Sequence, residues 1–134
     1  MTDMGTNLRT DLKKSNPYYI SKHRRLELIH FCLQYPEWKA RLSSIKVPKE
    51  TDEFSDPTSD EAIERIIFKR NIEMVERCAK IAGGEIWEYL FKSVTNGLSF
   101  VHLVTVENIP CSRDYFYDRY HKFWYILSQE KHMF

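Results

Sequence analysis

Residues 97–127 read GLSFVHLVTVENIPCSRDYFYDRYHKFWYIL, and this stretch decides the fold. Ser99 is placed to cap a short helix whose apolar side is Phe100, Leu103, Val104 and Val106. A turn centred on Asn108, Ile109 and Pro110 follows, with Cys111 as its small apolar plug. Ser112 then caps a second helix in which Phe116, Tyr120, Phe123, Trp124 and Leu127 recur at i, i+4, i+7, i+8 and i+11. Two capped amphipathic helices joined by a turn read as a helix-turn-helix, spanning 98–128. The turn from Val106 to Ser112 is a residue or two longer than the compact form, and an ordinary helical hairpin is the alternative. The main use of a helix-turn-helix is to set its second helix in the major groove of DNA.

The residues left outside the buried face assign the expected contacts. Positions near the start of a recognition helix reach base edges, and later ones reach phosphates. Base-reading roles therefore fall to Arg113, Tyr117 and His121, and phosphate contacts to Ser112, Arg119 and Lys122. Asp114 and Asp118 oppose this, because carboxylates repel phosphate. The aromatic run from Tyr115 to Trp124 has the chemistry to stack on bases, but its helical spacing fits core packing better.

Upstream lies a long helix. Asp56-Pro57-Thr58 is a strong helix start, and the helical pattern continues to Ala82, where Gly83-Gly84 stops it. It carries two apolar stripes. One is Ile63, Ile67, Met74, Cys78 and Ile81, expected in the core; the other is Phe68, Ile72, Val75, Ala79 and Ala82, expected to face either the fold or a second copy. A further helix covers Glu85–Thr95, ending at Asn96-Gly97.

The first part of the chain is different in charge. Residues 1–50 carry 10 Lys and Arg against 5 Asp and Glu; residues 51–97 carry 6 against 10, and residues 98–134 carry 4 against 4. Residues 1–16 read as a disordered arm and 17–46 as a basic helical segment. In that segment Ser21 caps a helix to Gln34, with Leu26, Ile29, His30 and Leu33 on one face. Pro36 opens a shorter helix with Trp38, Leu42 and Ile45, and Lys46–Asp56 is a linker. Arg24 and Arg25 are the candidates here for phosphate contact. The main helical domain is then 56–134, and the whole is all-α, since no strand alternation of any length occurs.

Other chemistries find little footing. There is no G-x-x-x-x-G-K-[ST], G-x-S-x-G or H-E-x-x-H signature, so no catalytic residue is expected. His30-x-Cys32 is a lone His/Cys pair without a second pair at zinc spacing, so neither metal nor cofactor is expected. The three cysteines read as reduced core residues, and no apolar leader or membrane span is visible. A cytoplasmic protein of a bacterial host is the expectation.

From Ser55 onward, over residues 55–128, the chain resembles the ArpU/RinA-type late transcription regulators of bacteriophages. The shared elements are Ser55-Asp56-Pro57-Thr58 with Ala62, Arg70-Asn71-Ile72-Glu73 inside the long helix, and the Gly97-Leu98-Ser99 step. A sigma-region-4-like motif, Ser112-Arg113-Asp114-Tyr115-Phe116-Tyr117, completes the match, with Asp118 where the family tends to have Arg. The resemblance implies regulation of phage or prophage late genes through promoter DNA. The candidate partners are double-stranded DNA, host RNA polymerase and a second copy of the chain. A terminase-small-subunit-like packaging protein and a protein-interaction or inhibitor module remain the alternatives.

Overall fold

In a computed structural model that describes residues 12–44 and 60–132, the chain is helical, with no strand among the described residues. The elements are α1 (Lys22–Leu33), α2 (Tyr35–Ser44), α3 (Asp60–Gly83), α4 (Trp87–Asn96), α5 (Phe100–Thr105) and α6 (Arg113–His132). A single 3₁₀ turn, Gly84–Ile86, joins α3 to α4. The expected helix start at Asp56-Pro57 and the linker lie outside the described residues.

Local chemistry sets most boundaries. Ser21 Oγ accepts the Arg24 amide at 3.3 Å and opens α1. Only Gln34 separates α1 from α2, and Pro36 sits in the first turn of α2, where its missing N–H costs nothing. Gly84 turns the chain out of α3 with φ 55, and Gly97 ends α4 in the left-handed region with φ 67. The α4 end is doubly closed. The Gly97 and Leu98 amides both donate to the Ser93 carbonyl, and Ser93 Oγ donates to the Leu98 carbonyl at 2.7 Å.

α3 and α6 are the two long pillars, and they run antiparallel. Arg77 on α3 bonds Glu130 near the end of α6 at 3.2 Å, whereas Glu85, just past α3, lies beside Tyr115 at the start of α6. α4 and α2 pack on α3, and α1 packs on α4 and α6, so the basic segment shares one core with the rest. Leu28, Cys32, Val75, Cys78, Ala79, Ala82, Leu90, Leu103, Phe123 and Leu127 have no exposed surface at all.

Of the expectations about faces, one left open is settled and two are corrected. The stripe Phe68, Ile72, Val75, Ala79 and Ala82 is the inner face of α3, with Phe68 partly buried and the rest buried within the chain, so it faces the fold and not a second copy. In the other stripe Met74 and Cys78 are buried, but Ile63, Ile67 and Ile81 are 47%, 39% and 53% exposed. Burial on this side is confined to the middle of α3, where Arg77 bonds Glu130 in the last turns of α6, and both ends of the stripe face outward. On α1 the buried face is Arg25, Leu28, Ile29 and Cys32, about one residue round from the predicted stripe, which leaves His30 exposed.

Candidate nucleic-acid interface

The free end of α6 is built by Ser112. Its Oγ accepts the Tyr115 amide at 3.2 Å, and the Phe116 amide bonds the Ser112 carbonyl at 3.0 Å. The helix is held from behind by Phe116, Phe123 and Trp124, all within the core. α5 supports it through Phe100, whose ring lies 5.4 Å from Phe116 and 6.3 Å from Tyr117. Between the two helices the Ile109 amide donates to the Leu103 carbonyl at 3.0 Å, and Asn108 takes φ 55, a conformation asparagine tolerates in turns.

Arg113 is exposed one residue past the cap. Its guanidinium lies 5.4 Å from the Tyr117 ring centroid, and no carboxylate bonds it among the described residues. Tyr117 is half-buried, with its ring also against Phe116 and Tyr120, so it acts more as a platform for Arg113 than as a free reader. Lys122 is half-buried, two turns further on from Tyr115.

The other candidates are less available. Arg119 is tied to Asp118, with Nε 3.1 Å from Oδ2, and its guanidinium covers the Tyr115 ring at 5.4 Å. That hydrogen bond holds the Arg119 pKa above its ordinary value. His121 is 7% exposed and Arg25 is 3% exposed, so neither can touch a nucleic acid, and both roles are withdrawn. They line a small internal cavity with Tyr18, Ile20 and Trp124. Burial raises the pKa of Tyr120, and the Arg25 charge opposes that rise. Arg24 donates to Ser128 Oγ at 3.1 Å and to the Ser128 carbonyl at 3.2 Å, bolting α1 to the far part of α6. At 1.5 Å per residue, Ser128 is about 22 Å along α6 from Arg113, so the structure does not bring Arg24 to the α6 head.

Periodicity misjudged one surface. Val104 and Val106, read as the apolar inside of α5, are exposed together with Val101. Leu103 is the buried residue, and Val101, Val104 and Thr105 form an outer stripe at i, i+3 and i+4. A cavity of about 440 Å³ lies next to the α6 cap, lined by Glu85, Ile86, Pro110, Cys111, Ser112 and Tyr115. The Glu85 carboxylate in its wall makes it a poor phosphate cradle. Among the described residues no cluster of three or more His, Cys, Asp or Glu is placed to hold a metal, and no helix is long and apolar enough to cross a membrane.

Comparison with known proteins yields no match: no family model, no curated protein and no solved structure is significantly similar to the chain.

Proposed function

We propose that the protein is a DNA-binding transcription regulator of phage or prophage type, in which α5 and α6 act as a helix-turn-helix and the first turns of α6 enter the major groove. One observation carries this reading. Arg113, bonded by no carboxylate among the described residues, stands at the capped, outward end of a helix whose inner face is locked in the core. A guanidinium so placed suits bidentate bonding to guanine O6 and N7. The sequence resemblance over residues 55–128 adds late or packaging-related genes as the regulated class.

The test is binding to duplex DNA selected from random sequence. Arg113→Ala should weaken the selected site by about 1–3 kcal/mol and relax preference at one base pair. Lys122→Ala should weaken all sequences alike. If the folded protein shows no salt-dependent affinity for duplex DNA, the proposal fails.

A second reading is favoured by Val101, Val104 and Val106, which are exposed together on and just after α5. An exposed apolar stripe suits a protein partner better than phosphate. Loss of DNA binding with the fold intact would select this docking module.

A further inference from the structure

The first turns of α3 present Ile63, Ile66 and Ile67 at 47%, 66% and 39% exposure. Spacings of three and four place them on one face of the helix. Further along that face Met74 is buried, and Ile81 at its far end is 53% exposed, so burial on this side is confined to the middle of α3 and the three isoleucines form a patch at its start. Three isoleucines side by side at a surface mark a contact site more than ordinary scattered exposure does.

Charge on the same face says what covers it. Asp60 stands three residues before Ile63, and Arg70 stands seven after it, both exposed. The stripe therefore runs acid, isoleucine, isoleucine, base. Glu64, by contrast, faces α2 and is held by Arg41 Nε at 2.9 Å. Two such stripes laid antiparallel about a two-fold axis put Ile63 against Ile67 of the other copy. They also set Asp60 opposite Arg70, twice. A parallel pairing would set Asp60 on Asp60 and Arg70 on Arg70. A two-fold contact must be self-complementary, and only the antiparallel register meets that condition.

We infer that the first half of α3 is the interface of an antiparallel homodimer, closed by Ile63, Ile66 and Ile67 and flanked by reciprocal Asp60–Arg70 pairs. The interface stands independently of DNA binding. α3 and α6 are antiparallel, so the two Arg113 ends lie at opposite ends of the dimer. The patch is small, which places the association at the weak end of specific contacts.

The experiment is sedimentation equilibrium of the full chain at high micromolar concentration, with circular dichroism as the folding control. The wild type should approach twice 16.1 kDa on concentration. Ile66→Glu adds a charge at the most exposed of the three positions, leaves the helix content unchanged, and should raise the dissociation constant about tenfold or more. Asp60→Lys and Arg70→Glu should each weaken self-association. Mixed one to one, the two variants should pair. The introduced lysine then meets the introduced glutamate on one flank, and the native Asp60–Arg70 pair is kept on the other. A wild type that stays at 16.1 kDa, an assembly larger than two, unchanged association of Ile66→Glu, or charge variants that fail to pair when mixed would each overturn the dimer.

Discussion

Cys78 sits in the core between α3 and its neighbours, and burial pushes its thiol up to about 12 from an ordinary 9.0. Cys32, buried beside it, is raised for the same reason, with Cys78 adding to the effect. Cys111 is only half-buried and is raised by a lesser burial. The thiolate is the reactive form, so Cys111 should be alkylated first in the folded protein, with all three cysteines reacting once denaturant is added. Mass spectrometry after a short alkylation pulse checks this; rapid labelling of Cys32 would show that the α1 face is open. The same shifts predict alkaline weakening. Above about pH 9 the unfolded thiols release protons that the folded ones keep, so stability falls as pH rises toward the folded value. Urea titrations should show that fall, and Cys78→Ala should flatten it. Arg25 shows why residue type misleads at this scale. A paired Arg-Arg in a basic segment reads as surface charge, yet one turns inward beside Tyr120 while its neighbour bonds the α6 backbone.

Helix ends were more legible than helix faces. Ser21, Ser99 and Ser112 all cap as their sequence context predicts, because capping is a bond between near neighbours. Gly97 is equally local. Its φ of 67 suits glycine, so Gly97→Ala should cost about 1–2 kcal/mol, although the added Cβ meets only Leu33 Cδ2 at 3.4 Å. Gly83→Ala should cost more, since its Cβ would lie 2.9 Å from Trp87 Cβ, where the turn into α4 leaves no room. Faces depend on which helix lies opposite, which periodicity does not contain. Both α3 stripes and both α5 sides are apolar, and the choice between them rests on where α6 and α4 pack. Leu90→Ala, wholly buried on α4, should therefore destabilise by about 2–5 kcal/mol. Val101→Ala, on the outer side of α5, should stay within about 0.5 kcal/mol. Thermal or urea unfolding compares them, and a large loss at Val101 would mean that α5 packs the other way round.

Over the molecule as a whole, the fold ties up much of the positive charge near the expected interface. Of the cations at or near the expected interface, Arg119 is bonded to Asp118, Lys92 to Glu107 at 3.2 Å, and Arg24 to Ser128 on the distant part of α6. Arg113 remains at the head of α6 and Lys122 at its middle. Each phosphate neutralised contributes about 0.9 to the fall of log affinity with log salt, so with Lys122 on phosphate and Arg113 on a base edge each chain should show a slope of only about one. A shallow slope is compatible with specific binding only if base contacts and register carry the affinity, which places the demand on Arg113. Replacing Arg113 and Lys122 together should bring the slope close to zero. Arg24→Gln should leave it unchanged, since that side chain lies about 22 Å along α6 from Arg113. Anisotropy titrations of a selected duplex over a salt series separate the cases. If Arg24→Gln flattens the slope while the α6 pair does not, DNA lies along α1 and the far end of α6, and the helix-turn-helix assignment is lost.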